Sequence, residues 1–196
     1  MITGTSTPLA RAIDLTAKYG ERTILSGVSL DIIPGEILCI LGGSGCGKTT
    51  LLKHYIGLNK PFSGTIEMFG KDWWGLGDEE RQVMRQKVGV LFQAGALLGS
   101  KTLGTNVGIP LEMHTNLSEA VIERVVRLKL HQVGLDDAMD RLPAELSGGM
   151  RKRAALARAL ALDPVLLFCD EPSAGLDPPT SEHLDKLLLS LRDGLG

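Results

Sequence analysis

The sequence predicts an α/β fold, and three stretches carry that prediction. An apolar strand at residues 37–41 runs into a glycine-rich loop at residues 42–50, and a helix-compatible stretch follows at 51–56. Residues 165–169 are a short apolar run, too short for a helix and typical of a buried parallel strand. The Ala- and Leu-rich stretch at 154–162 predicts a helix that ends before a proline.

The glycine loop has the composition and the surroundings of a phosphate-binding motif. Glycines let the backbone curl so that successive N–H groups point at one anion, and the following helix adds its N-terminal partial charge. Lys48 would reach the outer phosphates, and the Thr49 hydroxyl would hold Mg²⁺. The alternative, a glycine-rich turn that happens to precede a lysine, is disfavoured by the flanking strand and helix. The loop comprises Gly42, Gly43, Ser44, Gly45, Cys46, Gly47, Lys48, Thr49 and Thr50.

Length and charge exclude several classes of function. A chain of 196 residues fits one domain, and a net charge of −2 offers no general electrostatic attraction to nucleic acid. The longest apolar runs are about five or six residues, against the ~20 needed to cross a bilayer. Residues 1–10 are polar and lack a signal-peptide core. Any membrane role is therefore expected to come through a partner.

The three cysteines indicate neither a disulfide framework nor a zinc site. Their number is odd, and no pair among Cys39, Cys46 and Cys169 has metal-ligand spacing. Cys39 and Cys169 are expected in apolar strands, where cysteine packs as a small hydrophobe. This usage suits a reducing cytosol.

Alternation of apolar and polar residues predicts a β lobe at the start of the chain. Residues 11–33 show two strand-like runs with a turn between them, and residues 62–70 form a further short strand bounded by glycines. Residues 78–87 are helix-compatible. Residues 88–92 return to a strand, which ends at Gln93.

The middle of the chain is expected to be irregular and then helical. Residues 95–110 are glycine-rich and predicted to be irregular. Ser118 is a good N-cap for a helix that runs to the stop signal Gly134. A last amphipathic helix is predicted at residues 181–191.

An acidic pair follows the apolar run at residues 165–169. Asp170 would orient Mg²⁺, and Glu171 would align and polarise an attacking water. The alternative is a carboxylate pair that merely ends a strand. The phosphate-binding loop in the same chain favours the catalytic interpretation.

A second anion site is indicated where Ser147, Gly148 and Gly149 open the Ala/Leu helix with a hydroxyl, N–H groups and a helix dipole. Basic residues at 151–153 then crowd the first turns, where positive charge is unfavourable. Either an anionic partner or a solvated basic face would account for them, and Leu-Ser-Gly-Gly by itself could be a turn and cap. One ATP cannot readily occupy two separate phosphate sites on one chain. Two chains arranged head-to-tail would let Ser147 of one close on the phosphate held by Lys48 of the other.

The order of these motifs resembles that of the ABC ATPases, the ATP-binding cassettes, over nearly the whole chain. The resemblance assigns Tyr19 as the adenine-stacking aromatic, although an aromatic in a turn is also commonly simple packing. It assigns residues 42–49 as Walker A, Gln93 as the Q-loop, 146–150 as the signature, Asp170-Glu171 as Walker B and 173–177 as the D-loop.

The resemblance implies a P-loop NTPase fold with a RecA-like core, an N-terminal antiparallel β lobe and an inserted α-helical signature subdomain. Residues 1–93 and 163–196 would form the core and lobe, and residues 94–162 the helical subdomain. Two cassettes would sandwich two ATP molecules with Mg²⁺. The glycine loop, Tyr19 and the Ser-Gly-Gly segment would bind the nucleotide. Mg²⁺ would be bound by Thr49, Gln93 and Asp170. Glu171 and Gln93 would be the catalytic residues. Gln93 would also couple this chemistry to a membrane permease, unless it is an ordinary polar strand end.

Two segments, residues 91–98 and 146–159, resemble the ATPases of MCE/Mla-type lipid transporters. Most small-solute importers carry Gln where this chain has Met150, whereas residues 98–100 depart from the more aromatic segment expected in the lipid branch. The resemblance implies a permease, an MCE-domain protein and a STAS-domain subunit as partners, with a phospholipid, sterol or toluene-like cargo. The location would be cytoplasmic, at the inner membrane through the permease, with no nucleic-acid partner. Another importer-type ABC system is the alternative.

The switch histidine of the family has no counterpart here, because His54, His114, His131 and His183 stand at other positions in the motif order. Each is expected to be a surface or packing residue. The chain also stops where the next central strand is expected, so the prediction is a C-terminally truncated ATPase, poorly folded or inactive as a free polypeptide. That gap would leave two central strands with unpaired backbone groups.

Two rival classes remain open from the sequence. A non-transport ABC protein acting on DNA or ribosomes is disfavoured by the single cassette, the lack of a coiled-coil insertion and the lack of a basic stripe. A nucleotide-binding regulatory module without catalysis is favoured by the missing histidine. The intact Lys48, Asp170 and Glu171 disfavour it.

Overall fold

The computed structural model describes residues 7–195. Most of the polar N-terminal stretch, at residues 1–6, and the last residue therefore lie outside the described part. The chain divides into two compact units, one reaching to Arg85 and resuming at Arg192, the other Gln86–Leu191. In chain order the elements are β1 (Ala10–Tyr19), β2 (Arg22–Ile32), α1 (Lys48–Tyr55), β3 (Ser63–Met68), β4 (Lys71–Asp72), α2 (Asp78–Arg85), β5 (Val88–Leu91), α3 (Leu103–His114), α4 (Glu119–Gln132), two 3₁₀ turns (Asp136–Ala138 and Pro143–Glu145), α5 (Gly148–Ala159), β6 (Leu166–Cys169) and α6 (Pro178–Leu195).

The first unit contains the β lobe that the alternating pattern predicted, with the antiparallel pairing that the family resemblance implied. Its strands are ordered β2-β1-β3-β4, and every neighbouring pair is antiparallel. The buried side of β1 presents small and apolar side chains such as Ala12 and Leu15. Helix α1 is fastened to this lobe because the Tyr55 hydroxyl donates to the Leu30 carbonyl at 2.6 Å.

The apolar segment at residues 37–41 differs from expectation. It is not assigned to a strand, and the sheets of the described chain include no partner for it. Ile37, Leu38 and Ile40 are exposed, and Leu41 is 90% exposed. β propensity cannot by itself make a strand, because the ladder hydrogen bonds need a neighbouring chain segment. Cys39, expected to be buried in this strand, is exposed as well.

The second unit is built around a parallel strand pair and a helical core. β5 and β6 pair in parallel, with Leu91 opposite Cys169. The apolar run at residues 165–169 predicted a parallel strand, whereas residues 88–92 predicted a strand without a pairing direction. Helices α3, α4 and α5 pack together through Leu103, Val107, Val126, Leu130 and Leu156, all of them buried. Within residues 7–195, no helix combines the length and apolar character needed to cross a bilayer.

Part of the stretch predicted to be irregular is a helix. α3 begins at Leu103, inside residues 95–110, and Thr102 caps it by accepting from the Thr105 amide at 3.2 Å. Its glycines are tolerated because they allow close packing, as at Gly104, where an added Cβ would lie 2.8 Å from Met139. Tertiary packing therefore overrides the low helix propensity of this segment.

Candidate functional site

The glycine loop of the first unit adopts left-handed backbone at two of its glycines. Gly45 has φ 77° and Gly47 has φ 104°, which residues with a side chain rarely adopt. The Lys48 ammonium folds back over the loop and donates to the carbonyls of Gly42 at 2.9 Å and Gly43 at 3.1 Å. The loop is thus wrapped around the stem of the lysine that should bind phosphate.

The start of α1 fits an anion. The helix begins at Lys48 with Gly47 at its N-cap, and no side chain caps it. Its first turn contains Lys48 and Thr49 but no carboxylate, so nothing in this turn repels a phosphate from the positive end of the helix. A cation, a hydroxyl and a helix terminus therefore stand together in one short segment.

Tyr19 lies at the end of β1 with its side chain half exposed. Its hydroxyl accepts a hydrogen bond from the Asn59 amide at 3.1 Å, which restrains the ring from its edge. Nearby in the same unit, the Lys18 ammonium lies 3.8 Å from the centre of the Phe62 ring. An accessible ring of this kind is compatible with base stacking, and that role remains a prediction.

In the second unit, the structure brings Gln93 and the acidic pair to one edge. The hydrogen bonding of β5 with β6 continues one residue beyond β6, because the Asp170 amide donates to the carbonyl of Leu91, the last residue of β5, at 2.8 Å. Asp170 is buried at the carboxyl end of β6. The Gln93 side-chain amide donates to the Glu171 carboxylate at 3.0 Å. Carboxyl ends of parallel strands are where open α/β sheets bind ligands.

Glu171 is held from a second direction by Lys152, one of the basic residues at 151–153. The Lys152 ammonium donates to the Glu171 backbone carbonyl at 3.0 Å. Glu171 has φ 46°, a left-handed conformation uncommon for a residue with a side chain. Helical spacing could have revealed this inward lysine, because position 152 shares its face with the buried Ala155 and Leu156.

The other two basic residues of the cluster also bind backbone carbonyls of this unit. Arg151 donates to Leu146 at 2.7 Å and is itself exposed, in line with a solvated face. Arg153 donates to the carbonyls of Val133 at 2.7 Å and Gly134 at 3.0 Å, and burial lowers its pKa. An anionic partner is therefore not needed to account for Arg153.

Arg158 fixes the loop that follows Gln93, a contact that the sequence did not suggest. Its guanidinium donates to the carbonyls of Ala96 at 2.7 Å and Gly95 at 2.9 Å. Arg153 and Arg158 show the same pattern as Lys152: each is a cation on α5 that donates to backbone carbonyls of a neighbouring loop. Helix α5 is therefore the element that organises this unit.

The Ser-Gly-Gly segment begins α5 as predicted. The Ser147 hydroxyl caps the helix by accepting from the Met150 amide at 3.2 Å, and its hydrogen remains available to donate. Gly149 is required by close packing, because a Cβ there would lie 2.4 Å from the Thr180 methyl group at the start of α6. Gly148 similarly lies beside Leu176. The proposed contact of these residues with an anion is a prediction.

Polar groups of residues 173–177 are turned toward α6. The Ser173 hydroxyl donates to Asp185 at 3.1 Å. Asp177 accepts from the Thr180 hydroxyl at 2.8 Å and the Thr180 amide at 3.1 Å, and these bonds lower the pKa of Asp177. Asp177 thereby caps the first turn of α6.

The histidines have the packing and surface roles expected of them. His54 is buried in α1, and its ring lies 2.7 Å from the Thr50 carbonyl. His131 pairs with Asp136 at 2.5 Å on the surface, and His183 is exposed.

Comparison with known sequences identifies the family. Residues 25–174 match the family described as "ABC transporter". The chain is 43% identical over 182 residues to the intermembrane phospholipid transport system ATP-binding protein MlaF of Haemophilus influenzae, covering 93% of this chain and 69% of that protein. It is 44% identical over 187 residues to a probable ribonucleotide transport ATP-binding protein mkl of Mycobacterium leprae, covering 94% and 54%. A methionine import ATP-binding protein MetN of Brucella abortus is 38% identical over 192 residues, with 98% and 52% covered.

Solved structures agree with the sequence match. The ATP-binding cassette MJ0796, as a dimer in a post-hydrolysis state bound to ADP and Pi, has a TM-score of 0.85 and 32% identity, covering 94% of this chain and 83% of that one. The cbiO1 protein of Clostridium perfringens, part of the ABC transporter complex cbiONQ, has a TM-score of 0.85 and 30% identity, covering 96% and 75%. The chain therefore belongs to the ABC transporter family and has the fold of an ATP-binding cassette. It spans about half the length of several curated relatives, such as 54% of mkl and 52% of MetN.

Proposed function

We propose that this chain is the ATP-binding and ATP-hydrolysing subunit of an ABC transporter that moves phospholipids across or between bacterial envelope membranes. The hydrogen bond between Gln93 and Glu171 is the observation that carries the hydrolytic part. It joins residues 78 positions apart in the sequence, at the strand edge where ligands of α/β sheets bind. The 43% identity to MlaF supports the lipid part.

Nucleotide binding is proposed for the residues of the first unit. Amides of the glycine loop and the N-terminus of α1 would bind the phosphates, with Lys48 as the cation and Tyr19 stacking on the base. The proposal is supported by the left-handed glycines and by the lack of a carboxylate in the first turn of α1. Thr49 supplies a hydroxyl as a magnesium ligand.

Hydrolysis is proposed for the residues of the second unit. Glu171 would orient the attacking water and polarise it by accepting its proton, while Gln93 fixes the carboxylate by donating to it. Asp170 and Gln93 have the oxygen atoms that Mg²⁺ prefers as ligands. When bound, Mg²⁺ would neutralise the charge of the phosphates.

The proposed assembly is a head-to-tail dimer of cassettes attached to an integral membrane permease. Dimeric neighbours such as MJ0796 support the dimer, and the cbiO1 neighbour supports a place in a transporter complex. The Ser147, Gly148 and Gly149 segment of one copy would bind the nucleotide of the other. MCE-domain and STAS-domain subunits are further proposed partners. The protein would then lie on the cytoplasmic side of the inner membrane.

The hydrolytic role is tested by comparing Glu171→Gln with Glu182→Gln. ATP turnover is measured for the protein purified from its own cells with its membrane partners. Loss of the Glu171 charge is expected to slow turnover by about 10²-fold or more, because the general base is removed while the acceptor for Gln93 stays. Glu182, which pairs with Lys186 on the exposed side of α6, is the matched control and is expected to turn over like wild type. Equal rates for wild type and Glu171→Gln would contradict the proposed role.

The transported substrate is tested by purification of the tagged protein from the same cells. Capture of a permease together with an MCE-domain protein is expected. The identity to MetN favours a second candidate, an importer of a small solute, which predicts capture of a permease with a soluble solute-binding protein instead. Stimulation of ATP turnover by phospholipid vesicles, against methionine, separates the two candidates further.

A further inference from the structure

We propose that Lys152 is a positioning residue for the catalytic carboxylate, acting by holding the backbone of Glu171. This inference rests on the hydrolytic function proposed for Glu171. Its basis is the 3.0 Å hydrogen bond from the Lys152 ammonium to the Glu171 carbonyl, formed by a side chain that is 7% exposed. A lysine is rarely buried this deeply without a charged partner.

The surroundings explain why a charged lysine is retained at this place. Burial lowers the pKa of Lys152, whereas the nearby carboxylates of Glu171 and Asp170 raise it. Burying an ammonium is costly unless it is hydrogen-bonded and near opposite charge. The negative charges of Glu171 and Asp170 at the end of β6 thus partly offset the cost of burying the Lys152 ammonium.

The Glu171 carbonyl is the first acceptor of a tight turn. It accepts from the Ala174 amide at 3.1 Å in addition to the Lys152 ammonium. A carbonyl oxygen has two lone pairs, so both bonds can form together. Lys152 therefore braces the turn at residues 171–174, and this turn holds Glu171 at its unusual φ of 46°.

Two of the hydrogen bonds to Glu171 come from residues outside its own turn, and these two residues belong to different parts of the fold. Gln93, which follows β5, holds the carboxylate, and Lys152 on α5 holds the backbone. Ser147 caps the same helix, so a shift of α5 when that end meets an anion would act directly on the backbone of Glu171. Lys152 is the residue through which helix α5 sets the orientation of the Glu171 carboxylate.

The test compares Lys152→Met, Lys152→Arg and the control Arg153→Met in the purified complex. Methionine keeps much of the unbranched stem and removes the charge and the donors. Arg153 is the matched control because it also donates from α5 to backbone carbonyls, at Val133 and Gly134 rather than at Glu171. The measurements are kcat and KM for ATP, affinity for a fluorescent ATP analogue, and hydrogen–deuterium exchange at the Ala174 amide.

Lys152→Met is expected to lower kcat about tenfold or more, because the Glu171 carboxylate is still present but wrongly oriented. KM and nucleotide affinity are expected to stay within about twofold of the wild-type values. Exchange at Ala174 is expected to be faster than in wild type, and Lys152→Arg to restore both readouts in large part. Arg153→Met is expected to leave kcat and Ala174 exchange unchanged, whatever it does to the melting temperature.

Unchanged kcat and unchanged Ala174 exchange in Lys152→Met would overturn the inference, as would equal losses of kcat in Arg153→Met. Failure of the proposed function is a different result, since wild type itself would then lack ATP turnover. The exchange at Ala174 still decides in that case whether Lys152 braces the turn.

Discussion

Gly47 occupies a position where both the backbone and the surroundings exclude a side chain. Its φ of 104° is left-handed, and an added Cβ would lie 2.7 Å from a Leu25 methyl carbon and 3.3 Å from Ile24. Packing against β2 therefore requires glycine at this position, whatever the loop binds. Motif spacing identified the residue, but the contact with β2 follows from tertiary structure.

Gly47→Ala is expected to lower the free energy of unfolding by about 2 kcal/mol or more, because strain and a close contact add. Gly43→Ala is the control for stability, because Gly43 has no left-handed φ and no atom within 4 Å of an added Cβ. Urea unfolding of the two variants measures the difference. Equal unfolding midpoints for both would show that the close contact at Gly47 relaxes without cost.

Asn106 sets the relation between helix α3 and the loop before it. It is fully buried, and its side-chain oxygen accepts from the Leu98 amide at 2.7 Å. Its side-chain nitrogen donates to the carbonyls of Leu98, Lys101 and Thr102 at 2.9–3.1 Å. One side chain thus satisfies the backbone of a loop that has no regular secondary structure of its own.

Asn106→Ala is expected to cost about 2–4 kcal/mol of stability, because buried amide and carbonyl groups lose their partners. Hydrogen exchange in residues 98–102 is expected to rise together with that loss. Asn116→Ala, at an exposed position of the same unit, is expected to change the free energy of unfolding by less than about 0.5 kcal/mol. A loop that keeps slow exchange in Asn106→Ala would mean that other contacts hold it.

Two elements show the limits of local pattern in opposite directions. Residues 37–41 have a strand-like composition, but they are not in a ladder because the described chain offers no paired neighbour. α3 has glycines and a proline in its sequence, yet it is a helix because a Thr102 cap and the packing of Leu103 and Val107 support it. In both cases a partner element outweighs propensity.

The three cysteine thiols differ in their exposure and in their expected reactivity. Cys39 and Cys46 are exposed, whereas burial raises the pKa of Cys169 to about 12. A raised pKa means that the Cys169 thiol stays protonated at pH 8, and thiolate is the reactive form. Maleimide labelling at pH 8 is therefore expected to modify two cysteines quickly and the third after unfolding, as measured by peptide mass spectrometry.

ATP with Mg²⁺ is expected to slow labelling of Cys46 in the glycine loop and to leave Cys39 less affected. This comparison is an internal control, since both thiols are in the same unit and both are exposed. Fast modification of Cys169 in the folded protein would contradict the raised pKa of this half-buried thiol. Equal protection of Cys39 and Cys46 by nucleotide would contradict a phosphate site in the loop.

Features that depend on neighbouring residues could be predicted from the amino-acid sequence. The glycine loop before α1, the Ser147 start of α5, the parallel strand β6 and the strands of the β lobe all follow from spacing, capping and alternation. Local conformation and periodicity are properties of a few consecutive residues, so they can be read along the chain. The family follows from the same motifs in their order.

Tertiary structure alone decided which distant groups meet. It joined Gln93 to Glu171 and buried Lys152 against the Glu171 backbone. Among residues 7–195 it gave the segment 37–41 no ladder partner. Such contacts depend on the packing of whole elements against one another. The residues next to a side chain in the sequence do not indicate which distant residue it contacts. The orientation of the Glu171 carboxylate therefore depends on the folding of the whole second unit.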